Sequence, residues 1–155
     1  MGLSLFGGSR RRRAPPAIEN AVQQRFGSYF PSLFAYTRSW VNDDTAAREI
    51  VAEAFTGAFV RRPDLPDEEF RLFLFGLARR LCRSAASRGA PPSDPLSPRE
   101  REVLSLRFDA QLSRSDIGCL LKVKEDAVTS TLVRGLKKLR ANTSPAAVAA
   151  YLHLT

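Results

Sequence analysis

A Pro-rich segment, GAPPSDP at residues 89–95, divides this chain into two stretches of helical apolar periodicity. In the first stretch Ala47, Ile50, Val51 and Ala54 show the i, i+3, i+4 spacing that places apolar side chains on one face of a helix. No pair of alternating runs joined by a turn signal, which would predict a β-hairpin, occurs in the sequence. The pattern therefore predicts an all-α chain of two small helical units joined by a short linker.

The first unit, residues 17–88, is predicted to be a four-helix bundle. Gly27 should end the first helix, and Pro31 suits the first turn of the second. Asp43 and its neighbours give a turn and N-cap signal for the third helix, and Asp67 is the predicted N-cap of the fourth.

The second unit, residues 96–140, shows the helix-turn-helix pattern. SPRE at 97–100 predicts a capping box with Pro in the first helical position, and SRSD at 113–116 predicts a second box with Asp in the reciprocal position. A turn at Lys122 then leads to a longer helix. A left-handed conformation at this non-glycine residue would cost roughly 1 kcal/mol.

The charge distribution points to an anionic partner. The 155 residues carry a net charge of +8, of which +4 lies in residues 1–16 and +4 in residues 96–140. Nucleic acid is the commonest large anion. Residues 1–16 are predicted to be a disordered basic tail, and residues 141–155 a C-terminal tail.

The composition disfavours an enzyme. The chain has one histidine, His153, and two cysteines, Cys82 and Cys119, which are far apart and are interpreted as small buried hydrophobic residues. We therefore predict no catalytic residue, no metal site and no cofactor. Charged residues interrupt every apolar run before the roughly 18 residues of a membrane span, and no export signal is recognised. The predicted location is the cytoplasm.

The outward face of the last helix is the predicted DNA-binding surface, in preference to a merely solvated face. It would present Glu125, Asp126, Thr129, Ser130, Arg134, Lys137 and Lys138, with Arg114, Ser115 and Lys124 nearby. Lysine, arginine and short hydroxyl side chains suit phosphates and base edges in the major groove. Glu125 and Asp126 would repel phosphates.

The two units together resemble the extracytoplasmic-function (ECF) bacterial sigma factors. Residues 29–88 are similar to their region 2, on AAREIVAEAF (46–55) and FRLFLFGLARRLCRSAASR (70–88). Residues 96–140 are similar to region 4, on LSPREREVLSLRF, LSRSDIGCLL and VTSTLVRGLKKLR.

The resemblance implies a dissociable subunit that directs RNA polymerase to specific promoters, with core polymerase and promoter DNA as partners. It implies polymerase docking by Glu49 and Glu53, and −35 recognition by the last helix. It also implies −10 recognition by the loop at 61–69 and the helix after it, through Arg62, Asp64, Arg71, Arg79, Arg80 and Arg83. Phe70 and Phe73 are interpreted as core residues rather than platforms for bases.

Some features depart from the family. Ala52 and Arg80 stand where the family has Gln and Asn, and Lys124 replaces the usual Ser N-cap of the last helix. From Arg88 to Leu96 the chain can span about 26–29 Å, whereas a promoter spacer of ~17 base pairs is nearly 60 Å long.

Two other functions therefore stay open beside the sigma factor. The chain could be a sigma-like mimic that binds an anti-sigma factor or another regulator without driving transcription. It could also be a stand-alone helix-turn-helix regulator.

Overall fold

The computed structural model describes residues 16–85 and 95–142, and within these ranges every regular element is helical, which confirms the all-α prediction. The elements are α1 (Pro16–Val41), α2 (Asp44–Arg61), α3 (Asp67–Ala85), α4 (Pro98–Leu104), a π-helical segment (Ser105–Asp109), α5 (Arg114–Leu121) and α6 (Glu125–Asn142). None of the helices in the described ranges is long and apolar enough to cross a membrane. The predictions for both tails and for most of the Pro-rich linker lie outside the described residues.

Helix α1 is continuous where two helices were predicted. The first part of the chain, residues 16–85 of the described ranges, therefore has three helices and not four. Pro31 lies inside α1, although a proline has no backbone N–H to donate to the carbonyl four residues earlier. The prediction that the helix ends at Gly27 was wrong, because packing against the core outweighs local helix propensity. Tyr29 and Phe30 contact the core before the proline, and Leu33 is fully buried after it.

Local capping fixes the start of α2, and a long-range contact alters the start of α3. Asp43 caps α2 as predicted by accepting a hydrogen bond from the Ala46 N–H at 2.8 Å. Asp67, however, lies in the first turn of α3 and not at its N-cap. Its carboxylate accepts a hydrogen bond from Arg25 Nε at 2.9 Å, which directs it towards α1.

The core of the first part is aromatic. Rings of Phe59 and Phe70 have centroids 5.0 Å apart, and those of Tyr36 and Phe75 are 5.8 Å apart. Phe70 and Phe75 are fully buried, whereas Phe73 is only partly buried. The interpretation of Phe70 as a core residue is confirmed, and Phe73 packs at the edge of the core.

Both predicted capping boxes form in the second part. Ser97 Oγ accepts from the Glu100 N–H at 3.1 Å, and Glu100 Oε1 accepts from the Ser97 N–H at 2.9 Å. Ser113 and Asp116 exchange the equivalent bonds at 3.0 and 3.4 Å. These bonds satisfy backbone donors that the first turn of a helix leaves unpaired, and they fix where α4 and α5 begin.

The two parts of the chain pack against each other. The π-helical segment contacts α1, and α5 contacts α3. Buried residues from Leu33 to Leu139 form one continuous hydrophobic cluster. Helix α6 packs on α4 and α5, whereas the contact between the two parts is made mainly by the π-helical segment and α5.

Candidate nucleic-acid interface

The turn between α5 and α6 is tight and requires a glycine in α5. Lys122 ends α5 in the left-handed conformation, with φ 58° and ψ 46°, at the position where the sequence predicted a turn. The Val123 N–H then donates to the Gly118 carbonyl at 2.9 Å. A Cβ atom on Gly118 would lie 2.9 Å from the Val123 carbonyl oxygen, so a side chain would push the turn away from α5.

Helix α6 buries one face and exposes the other. Val128, Leu132 and Leu139 are buried against α4 and α5. Several of the exposed residues of α6 recur at the spacing of one helix face: Asp126, Ser130, Val133, Arg134, Lys137 and Ala141. A face of this kind on the second helix of a helix-turn-helix has the position that enters a major groove.

Three of the predicted residues form a cluster at the start of α6. Arg114, the first residue of α5, donates to Thr129 Oγ1 at 3.1 Å and lies 4.0 Å from the Glu125 carboxylate. The Thr129 hydroxyl in turn donates to the Glu125 carbonyl at 3.2 Å. Glu125 therefore neutralises Arg114 in part and holds it beside α6. Ser115 and Lys124 are exposed on the same side of the turn.

A buried carboxylate orients the end of α6. Glu100, which is 4% exposed, accepts a hydrogen bond from Lys138 Nζ at 2.8 Å and lies 3.6 Å from Arg134 Nε. The pKa of Glu100 is lowered, chiefly by the hydrogen bond from Lys138 and then by the Ser97 backbone N–H. Lys138 thus has a structural partner, whereas Lys137 and Ser130 lie on the exposed face.

The comparison with known families identifies the segment that carries this interface. Residues 94–141 match the family model described as Sigma-70, region 4, which covers just under a third of the chain. The chain carries a sigma-70 region 4 domain. The match includes both capping boxes, the turn at Lys122 and all of α6 up to Ala141. Searches of curated proteins and of solved structures found no match.

Outside the region 4 domain, the predicted docking residues share one face of α2. Glu49 and Glu53 are both exposed and lie one helical turn apart. Val60, further along α2, is 75% exposed. In the loop after α2, Arg62 and Asp64 are exposed and form an ion pair at 3.3 Å, which lowers the pKa of Asp64.

The four predicted arginines of α3 fall into two pairs. Arg80 and Arg83 are exposed. Together with Arg79 they line a cleft of about 500 Å³, which also includes Lys122 of the region 4 domain and the partly buried Phe73. Arg71 and Arg79, in contrast, point towards the region 4 domain and pair with its carboxylates. The resemblance assigned all four arginines to one surface for the −10 element. In the structure Arg71 and Arg79 pair with carboxylates of the region 4 domain, whereas Arg80 and Arg83 are exposed.

Two features of the interface escaped the sequence reasoning. Val133 is 44% exposed between Ser130 and Lys137, and its i+3 spacing from Ser130 could have shown it. Cys119 is exposed, so its interpretation as a buried residue was wrong, while Cys82 is buried as expected.

Among the described residues no group of three or more His, Cys, Asp or Glu side chains is placed to hold a metal ion.

Proposed function

We propose that the chain is a sigma factor of the ECF type, which directs RNA polymerase to specific promoters. The observation that carries this proposal is the exposed basic face of α6, with Ser130, Arg134 and Lys137, inside a region 4 domain. In the proposed function α6 enters the major groove of the −35 element. Arg114 and Lys124 contact the flanking phosphates.

The first part of the chain would supply the remaining activities. The proposal assigns polymerase docking to the exposed Glu49 and Glu53 of α2. It assigns −10 recognition to the Arg62–Asp64 loop and the arginines of α3, where an unstacked base could rest beside Phe73 at the edge of the core. Support comes from the order of these surfaces along the chain and from the exposure of Glu49, Glu53 and the Arg62–Asp64 loop, and of Arg80 and Arg83 in α3.

Run-off transcription with the host's core RNA polymerase tests the proposal. Duplex fragments of the host genome serve as templates, and products are mapped to their start sites. The proposal predicts products with a shared upstream element that require the full chain. A sigma-like mimic would give no promoter-dependent product, and a stand-alone regulator would bind specific duplexes tightly without polymerase.

A matched pair of variants tests the role of α6. Lys137→Ala removes a charge from the exposed face of α6, whereas Arg99→Ala removes an exposed charge from the first turn of α4. We expect Lys137→Ala to lower transcription from the mapped promoters several-fold more than Arg99→Ala, because only Lys137 lies on the face that enters the groove. Equal effects would contradict this placement of the interface.

A further inference from the structure

A buried carboxylate of the region 4 domain binds two residues of the first part. Glu102, whose side chain is 5% exposed, pairs with Arg79 Nε at 2.5 Å and Arg79 Nη2 at 3.3 Å. The buried Tyr36 hydroxyl donates to the same carboxylate at 3.2 Å. Burial, with the Glu102 charge, raises the pKa of Tyr36 well above its usual value, so the phenol keeps its proton. A carboxylate this deeply buried depends on such partners.

A second ion pair joins the two parts at the first turn of α5. Arg71 Nη2 of α3 lies 2.8 Å from Asp116 of α5, and each side chain is 21% exposed. Ser39 of α1 and Ser105 of the π-helical segment share a hydrogen bond of 2.8 Å. We term three contacts between the two parts the latch: the ion pairs Arg71–Asp116 and Arg79–Glu102, and the Ser39–Ser105 hydrogen bond.

The latch contains Arg71 and Arg79, two of the arginines that the proposed function assigns to binding the single strand of the −10 element. Two carboxylates of the region 4 domain occupy the positions at which phosphates would pair with Arg71 and Arg79. The exposed face of α6 remains uncovered. Closure therefore occupies Arg71 and Arg79, two of the four α3 arginines assigned to single-stranded DNA, and leaves Arg80, Arg83 and the duplex-binding face of α6 exposed.

We infer that the free chain is a self-inhibited form of the proposed sigma factor, in which the region 4 domain competes with single-stranded DNA for the α3 arginines. The inference rests on the proposed function, because the strand is the ligand excluded. Opening is feasible because the closed form has a cost: Arg71 Nε is buried and finds no acceptor among the described residues. Polymerase binding would separate the two parts and release both arginines.

A reversible cross-link tests the inference in the full chain. Ser39→Cys and Ser105→Cys are combined with Cys119→Ser, because the two serine hydroxyls lie 2.8 Å apart, close enough for a disulfide. A fluorescein-labelled 15-nucleotide single-stranded DNA of mixed sequence is the probe. We expect the oxidised chain to bind it at least fivefold more weakly than the reduced chain. Ser39→Cys alone, with the same oxidant, is the control.

Charge variants give a second, independent measurement. Glu102→Gln and Asp116→Asn should tighten binding of the strand, because the apparent affinity of a partly closed protein rises with its open fraction. Glu68→Gln is the matched control: Glu68 pairs with Arg71 at 3.1 Å from within α3, so its loss leaves the contact between the parts intact. Small-angle scattering of each variant reports whether the chain expands.

The outcomes separate the inference from the proposed function. Equal strand binding by the oxidised and reduced chains, or no binding by either, would overturn the inference. If oxidation weakens strand binding but neither form supports transcription with core polymerase, the latch stands and the proposed function fails. If both forms transcribe equally, the proposed function stands and the latch has no regulatory effect.

Discussion

Lys138 Nζ lies 2.8 Å from the Glu100 carboxylate and so ties the last turns of α6 to the first turn of α4. The same carboxylate completes the capping box of α4. One side chain thus fixes both where α4 begins and how α6 is oriented in the region 4 domain.

Replacing Glu100 should destabilise the region 4 domain. Glu100→Ala removes the hydrogen bonds to Lys138 and to the Ser97 N–H, and we expect the free energy of unfolding to fall by about 1–3 kcal/mol. Glu100→Gln keeps a side chain that can complete the capping box, so its cost should be smaller. Urea unfolding followed by circular dichroism measures both. Equal losses would contradict this expectation, because they would show that a neutral side chain contributes nothing at this position.

The Glu100 contribution should depend on pH. Its pKa is lowered in the folded state, mainly by Lys138, from a usual value near 4.5. The stabilisation is therefore complete above about pH 4.5 and is lost as the pH falls through the lowered pKa. The difference in unfolding free energy between the unaltered chain and Glu100→Gln should shrink between pH 6 and pH 3. A difference that stays constant over this range would refute the assignment.

The two thiols should react at very different rates. Burial raises the pKa of Cys82 to about 12, whereas Cys119 is exposed. At pH 8 only about 10⁻⁴ of Cys82 would be thiolate, the reactive form. Ellman's reagent should modify one thiol rapidly and the second only on unfolding in guanidinium chloride. Cys119→Ser should abolish the rapid phase. Two rapid phases in the folded chain would contradict the burial of Cys82.

The turn of the helix-turn-helix should not tolerate a methyl group at Gly118. A Cβ there would meet the Val123 carbonyl oxygen at 2.9 Å, so Gly118→Ala should lower the unfolding free energy by about 1–3 kcal/mol. Gly27→Ala is the matched control, since its Cβ would meet nothing within 4 Å in the exposed part of α1. That substitution should raise stability by up to about 1 kcal/mol. Thermal unfolding of both variants checks the contrast.

Features set by neighbouring residues could be predicted from the sequence. Both capping boxes, the Asp43 cap and the left-handed Lys122 form as expected, because each depends on residues within three or four positions. The helix-turn-helix follows from them, because its turn joins two helices with defined starts. The exposed side of α6 follows in turn from which of its residues are apolar.

Features set by distant residues could not be predicted. Gly27 does not end α1, because residues packed in or against the core on both sides of Pro31 hold the helix together. Asp67 does not cap α3, because Arg25, 42 residues earlier, engages its carboxylate. Glu102 appears in the sequence as one more charge on a helix. Its burial between Tyr36 and Arg79 arises only when the two parts of the chain meet.

Co-purification with core RNA polymerase tests the central proposal most directly. The tagged full chain is expressed in its host, captured, and analysed for polymerase subunits and associated promoter DNA. The account predicts that core polymerase is captured in near-stoichiometric amount and that a Glu49→Lys, Glu53→Lys double variant loses it while an Arg48→Ala control retains it. Capture of the folded chain without polymerase subunits, under conditions in which it binds duplex DNA, would contradict the account.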